Sequence, residues 1–396
     1  MALLSDKQPI LIAGGGIGGL AVAFALARQN FPVRVFEQAA EFREVGAGIQ
    51  LGPNIFRVLD TIGLKDQMLA DAWQPDKLEM RDALTCETIT TFPLGERFLQ
   101  RFAYPYAVTH RADIHAVFLD ACRAHDLISL ETNRRVVDFK DMGNSVTLWL
   151  DNREDVKGAA LIGCDGLWSG VRAKLVNDGE PRLSGHIAYR AVLKREEVPS
   201  DLWRPDVILW AGPQSDLVHY PLRRGTLYNL VAVFHSNRYR EGWNLPGDPD
   251  ELWKHFSGQR SEVLRLLECV KRWNMWVMCD REPVKNWSRG RVTLLGDAAH
   301  PMLQYLSQGA CMAVEDAVTL ASMLAAMPDD IPGAFQTYQD ERYLRTGRVQ
   351  LMSRVYGQVF HAEGVAAELR YELLRPRTPE QAYDDGAWLY GGPDLS

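Results

Sequence analysis

The chain opens on a change of hydrophobic period. Pro9 to Ala13 is a short apolar run, and Gly14 to Gly19 interrupts it with a turn. Leu20 to Arg28 is rich in Ala and Leu and predicts a helix. Pro32 to Glu37 alternates apolar and polar residues and predicts a second strand. Strand, turn, helix and strand thus fall within about 30 residues, the length of one βαβ unit. Residues 43–54 are Gly-rich and loop-like, and a helix is expected from Asn54 to Leu59. Arg111 to Ala124 places Ile114, Val117, Phe118 and Ala121 at helical spacing. Leu148 and Leu150 belong to a hairpin turning at Asp151-Asn152, and Ala159 to Cys164 is a buried strand ending at Asp165-Gly166.

From Ser184 to Phe234 the pattern turns strand-like. Val207 to Trp210, Leu217 to Leu222 and Leu227 to Phe234 predict a mostly antiparallel sheet, with turns at Gly212-Pro213 and Arg224-Gly225. Helical periodicity returns at Pro249 to Leu267. A strand at Arg291 to Leu295 follows, then helices at Gly309 to Met327 and Ala334 to Phe360. The tail, with Pro376, Pro379 and Gly386, reads as irregular. The expected fold is α/β: a discontinuous Rossmann-like nucleotide domain (1–75, 100–180 and 283–330) carrying a mostly antiparallel β-sheet substrate domain (76–99 and 181–282). A C-terminal helical segment (331–396) completes it.

Composition changes little in this picture. The chain has 396 residues, 46% hydrophobic and 24% charged, with net charge −7. The acidic balance argues against a nucleic-acid binder. Six scattered cysteines form no C-x-x-C pair, so free thiols in a reducing cytoplasm are expected, with no metal centre. Ile10 to Ala27, after Lys7, resembles a signal peptide or short span. Its five glycines and the lack of an A-x-A cleavage pattern argue otherwise, and no membrane span is expected.

Gly14-x-Gly16-x-x-Gly19 follows a strand and opens a helix. The first Gly allows the turn, the second lets backbone approach a pyrophosphate, and the third lets helix pack on strand. Glu37, 18 residues beyond Gly19 at the end of the second strand, is placed to hold ribose hydroxyls. The bland alternative is a Gly-rich loop without a ligand. Two further motifs distinguish the nucleotide: Cys164-Asp165-Gly166-x-x-Ser169-x-Val171-Arg172 and Gly296-Asp297-Ala298-Ala299-His300-Pro301.

These three motifs, in this order, resemble those of the single-component (class A) flavoprotein aromatic hydroxylases, over the whole chain. The resemblance implies bound FAD, reduction by transient NADH (NADPH being the alternative), and O2 used to hydroxylate a small aromatic acid. It makes Gly14, Gly16, Gly19, Glu37, Arg43, Gln50, Arg111, Asp165, Asp297, Gly309 and Ala310 cofactor-binding. Arg172 shares the role of Asp165 in FAD and nicotinamide binding. The helix after Gly309 would aim its N-terminus at a reduced, anionic flavin. Only one GxGxxG is present, so no second Rossmann domain holds a resident nicotinamide. Trp273-Asn274-Met275-Trp276 does not match the W-x-W-x-I-P signature of flavin halogenases.

His219 is the candidate base for the substrate phenol, against the plainer reading of a structural histidine. Strand alternation puts it on the face opposite Tyr220. Gln304 stands where salicylate hydroxylases carry proline, and with His219 it resembles the 3-hydroxybenzoate 6-hydroxylases, which implies 2,5-dihydroxybenzoate as product. A carboxamide can both donate to and accept from a phenol. Tyr106 and Tyr220 are candidate substrate contacts; spacing does not decide whether Tyr106 or Tyr104 points inward. The remaining histidines, His110, His115, His125, His235 and His361 among them, show no metal-ligand spacing. The alternatives are a salicylate 1-hydroxylase yielding catechol and CO2, an NAD(P)H oxidase making peroxide, a non-catalytic flavin-binding protein and a hydroxylase of larger substrates. Family members are often dimers, so a homodimer is a further expectation.

Overall fold

The computed structural model describes residues 8–44, 46–236 and 245–393; Lys7 and Val45 lie outside them. Two sheets organise the chain. The first has six strands in the order 288–289, 292–294, 160–163, 10–13, 33–36, 128–131, parallel throughout except for the hairpin between the first two. Its central strands Ile10–Ala13 and Ala160–Gly163 are wholly buried, as a parallel sheet covered on both faces requires. The helices Ile17–Arg28, Arg111–Arg123 and Gly309–Ala326 pack together against it.

The second sheet has eight strands, drawn from 77–93 and 182–280. All its pairs are antiparallel except Val207–Gly212 with Lys77–Asp82. One face carries Ile187, Tyr189, Ile208, Trp210, Leu217, Tyr228 and Leu230. It packs on the helices Pro249–Phe256 and Ser261–Glu268 as a separate hydrophobic core. The opposite face carries Ala188, Val231 and Val233. It meets Leu303 and Tyr305 of the first sheet's loops and Tyr356 and Phe360 of the long helix Ile331–Phe360. The loop that follows the first sheet's strand 292–294 thus packs on this face of the second sheet.

The tail departs from expectation. It forms two helices, Val365–Leu374 and Pro379–Tyr390. Pro379 is no breaker: it sits in the first helical turn, where a missing N–H costs nothing, behind a Thr378–Gln381 capping box. The last helix sets Tyr390 against Tyr106, Phe98 and Phe102. The loop 43–54 also contains a strand, Gly48–Leu51, paired with Ala107–His110.

Gly309–Ala326 is the one helix among the described residues long and apolar enough to cross a membrane, and it is mostly buried inside the protein. It also carries two buried acids. Glu315 is held by Arg345 at 2.7 Å and by Asn54 Nδ2 at 2.8 Å. Asp316 is held by Arg342 Nε at 2.7 Å, His300 Nε2 at 2.5 Å and the Gly296 amide at 3.1 Å. Burial opposes the charge on Asp316, but His300 and Arg342 outweigh it and hold the carboxyl down to about 2. A folded-state value below the ordinary 3.8 means that this contribution to stability is complete above pH 3.8 and is lost as pH falls through about 2. Arg342→Met leaves two buried carboxylates short of a partner. It should cost about 3–5 kcal/mol in urea unfolding and move the acid-unfolding midpoint upward.

Candidate active site

The glycines form a cradle no side chain could share. Gly14 has φ +105°, and a Cβ there would lie 2.4 Å from the Cys164 carbonyl oxygen. A Cβ on Gly19 would lie 2.0 Å from the Gly14 carbonyl oxygen, so helix and strand could not approach as they do. Gly16 differs: nothing comes nearer than Glu44 Oε1 at 3.7 Å, which leaves open space before the helix. That helix has no side-chain cap and no acid in its first turn. Its first amides are thus available to a pyrophosphate. Glu37, just after the strand Val33–Phe36, accepts from the Gly15 amide and the Ala39 amide, each at 2.8 Å. Its carboxylate is fixed at the rim of the turn. These residues fit an FAD's adenosine and pyrophosphate.

The other two motifs meet at the carboxyl ends of the neighbouring strands. Asp165 accepts from Ser169 Oγ at 2.5 Å and the Val171 amide at 3.1 Å. Its carboxylate shapes the turn into the helix Gly170–Leu175. Arg172 is fully buried. It donates to the carbonyls of Ala298 at 2.9 Å and Ala299 at 2.6 Å and is paired with Asp178. Arg172 therefore ties the second motif to the third, with its guanidinium engaged by Asp178 and these two carbonyls. Asp297 is reached by solvent yet walled in by protein. Enclosure pushes its carboxyl pKa up, opposed by Arg111 and then His300. The start of the Gly309–Ala310 helix lies beside it: a Cβ on Gly309 would be 3.8 Å from Asp297 Oδ1.

Arg111 opens its helix and pairs with Glu44 at 2.8 Å. Burial works against its charge, and Glu44 more than restores it. Arg43 lies elsewhere. It is exposed and pairs with Glu41 at 3.2 Å, because in this extended loop its neighbour Glu44 takes the inward position. Glu44 was legible only as a charged residue in the loop the resemblance singles out.

Around the sheet face the expected residues divide. Tyr106 is buried and donates to Gln50 Oε1 at 2.6 Å, whereas Tyr104 turns outward to Asp60 at 2.9 Å. Tyr220 also reaches Gln50 and lies in the field of Arg190; burial pushes its phenol well up, and these two neighbours oppose that. Gln304 accepts from Arg190 Nη2 at 2.5 Å. Arg190 rests on the Trp276 ring at 5.1 Å, and its Nε has no partner. Enclosure, and then the nearby Arg111, push it down to about 10, so it stays cationic near neutral pH. Sequence reasoning missed Arg190. The available signal was a charged residue between Tyr189 and Ala191 in an otherwise apolar stretch.

His219 is not in this group. It faces the second core, 1% exposed, opposite Tyr220 as strand parity requires. Its Nε2 accepts from Trp210 Nε1 at 2.9 Å, so its proton sits on Nδ1, which donates to Tyr228 Oη at 2.6 Å. No lone pair remains. Burial, then the charges of Arg204 and Arg81, push it down to about 3. The cavity beside it, about 10 Å³, holds no aromatic ring. Against the expectation of a base at the phenol, His219 thus lies apart from the Tyr106–Gln50–Arg190 group and makes the contacts of a structural histidine. His110 caps its helix by accepting from the Ala112 amide at 3.2 Å, and buried His115 bonds the Gly15 carbonyl at 2.9 Å.

A flavin cradle facing an enclosed, cation-bearing sheet defines an FAD-dependent aromatic-ring monooxygenase. The chain belongs to the family described as FAD binding domain, whose model matches residues 7–351. It is 45% identical over 384 residues to a 3-hydroxybenzoate 6-hydroxylase of Polaromonas naphthalenivorans, covering 97% of this chain and 96% of that protein. It is 43% identical to a 3-hydroxybenzoate 6-hydroxylase of Klebsiella oxytoca, covering 96% of each. Among solved structures, Klebsiella pneumoniae HpxO complexed with FAD and uric acid superposes with TM-score 0.86, at 24% identity and 98% coverage of each chain. A salicylate hydroxylase substrate complex superposes with TM-score 0.80, at 23% identity over 99% of this chain and all of that one. These two likenesses concern the fold.

Gly19→Ala should yield protein that purifies without its flavin absorbance near 450 nm. Gly95→Ala, which meets nothing within 4 Å, should keep it. His219→Phe orphans the Tyr228 hydroxyl and the Trp210 N–H. It should lower stability by about 1–3 kcal/mol while turnover per folded, flavin-loaded molecule stays near wild type. A loss of turnover of a hundredfold at unchanged flavin content would restore His219 as a base.

Proposed function

We propose that this enzyme hydroxylates 3-hydroxybenzoate to 2,5-dihydroxybenzoate with NADH and O2. The observation that carries the reading is the Arg190–Gln304 pair on the enclosed sheet face. A guanidinium with an unpaired N–H, set in a walled cleft, needs an anion. Aromatic acids supply one. The relatives agree in chemistry: besides the 3-hydroxybenzoate 6-hydroxylases they include a 3-amino-4-hydroxybenzoate 2-monooxygenase of Streptomyces cremeus, 34% identical over 96% of this chain. The substrates in these two names are benzoates with a ring hydroxyl, and a further relative is named for 6-hydroxynicotinate, again a hydroxylated aromatic acid.

FAD, when bound, supplies electron transfer from nicotinamide and the activation of O2. The glycine cradle, Glu37, Asp297 and the start of the Gly309 helix would hold it. The protein's part is to orient the ring and favour the phenolate, which is the more nucleophilic form. Gln304 spends its carbonyl on Arg190, which leaves its NH2 group to donate to the phenol oxygen. The Arg190 charge, transmitted across that carboxamide, favours the deprotonated phenol. Val218 and Val231, in register with Arg190 across the sheet, offer an apolar floor to the ring. Tyr220 and Tyr106, linked through Gln50, border it.

The test is FAD-loaded enzyme with NADH, O2 and a panel of hydroxybenzoates, with products separated by chromatography. 2,5-Dihydroxybenzoate from 3-hydroxybenzoate supports the reading. Catechol from salicylate would replace the substrate, and peroxide alone for every acid would remove the hydroxylase reading of this pocket. Gln304→Leu should lower hydroxylation about 10–100-fold, the cost of one hydrogen bond to a charged oxygen, and divert NADH oxidation to peroxide. Arg190→Met should raise KM for the acid more than it lowers kcat.

A further inference from the structure

Three histidines far apart in sequence converge at the end of the same sheet face. His186 and His235 are direct cross-strand partners on 182–194 and 227–235. Their rings stack at 4.3 Å. His361 closes the long helix Ile331–Phe360 and places its ring 5.0 Å from both. The ring nitrogens of all three lie within 4.8 Å of one another. Backbone bonds fix the arrangement: the Gln214 amide donates to the His361 carbonyl, and the His235 amide to the Gln214 carbonyl, each at 3.1 Å.

Side-chain chemistry completes the set. His361 Nε2 is 2.6 Å from Asp216 Oδ1, both groups buried, and its Nδ1 is 3.0 Å from His235 Nε2. With Nε2–H given to the carboxylate, Nδ1 presents its lone pair to the other rings. A carboxylate behind a histidine in this way is the arrangement that orients metal-ligating imidazoles. Neutral imidazole is the form that binds metal. The open side of the cluster faces a cavity of about 620 Å³, walled also by Gln214, Lys254 and His255. Tyr305, next in sequence to Gln304, bonds His186 Nδ1 at 2.6 Å on the other side.

We propose that His186, His235 and His361 form a binding site for one divalent transition ion of the zinc class. The ion takes the place of the hydrogen shared by His235 and His361, with small rotations that unstack His186 from His235. Imidazole ligands select zinc, copper or nickel over magnesium or calcium. Three protein nitrogens leave a fourth position toward the cavity, open to water. This site is separate from the flavin cradle and does not depend on the identity of the aromatic substrate.

Tag-free, FAD-loaded enzyme, stripped with chelator, is titrated with Zn2+ in a calorimeter, and the bound ion is examined by X-ray absorption at the zinc edge. One ion per chain is expected, with three imidazole nitrogens at about 2.0–2.1 Å, and no heat with Mg2+. His235→Asn and His361→Asn should each weaken binding at least tenfold with flavin absorbance unchanged, while His125→Asn leaves it intact. No binding by the stripped wild type, a coordination shell dominated by oxygen, or undiminished affinity in both variants would overturn the site. The absorption spectrum of wild type decides the matter even should a variant fail to fold.

Discussion

The structure depends on how charge is neutralised inside the Gly309–Ala326 helix. Glu315 and Asp316 are fully buried, and each would be intolerable alone. Asn54 reaches Glu315 from the helix that follows the Gly48–Leu51 strand. Arg342 and Arg345 reach the two acids from the long helix, and His300 reaches Asp316 from the third motif. One buried cluster thus joins four segments whose meeting defines the cofactor cleft. The Gly296 amide, itself bonded to Asp316, starts the turn that carries Asp297. Arg345 also donates to the carbonyls of Trp388 and Leu389, so the tail is fastened to the same cluster.

Arg172 repeats the logic from the opposite side. It is buried, and it fastens the Asp165 turn to the carbonyls of Ala298 and Ala299. The motifs therefore work as a set: one residue of the second clamps the backbone of the third, and the clamp positions Asp297. A motif can thus identify a cofactor partly through side chains that hold the backbone in place. The positions of Gly14 and Gly19 are steric, that of Arg172 is a tether, and Asp165 shapes a turn.

What the sequence showed and what it hid separate along physical lines. The βαβ opening, the strand alternation and the long helices were legible because burial imposes a period on them. Gly14 and Gly19 were legible because a Cβ at those positions collides with backbone. The tail helices were not legible, because proline in a sequence signals an end, whereas behind Thr378 it begins a helix. The parity of His219 and Tyr220 was legible, but parity fixes opposition and leaves open which face meets the cofactor. That choice is made by packing: Trp210, Tyr228 and the helices 249–256 and 261–268 claim the His219 face. Arg43 and Glu44 pose the same problem in a loop, and pairing with Arg111 settles it.

The sheet consequently sorts chemistry by face. On one side histidine serves structure, with both nitrogens saturated and its cationic form excluded by burial. On the other, Arg190 keeps donors unspent, and Gln304 is turned to it by a short turn after Pro301. Arg190 and His186 lie four residues apart on one strand, so they share that face. The two proposed sites, one for an aromatic anion and one for a metal ion, are joined by the Gln304–Tyr305 dipeptide. The same backbone that orients the carboxamide for the phenol also sets the hydroxyl beside the histidines. Adjacency along one turn thus places the two proposed sites side by side, and any coupling between them would by linkage be reciprocal.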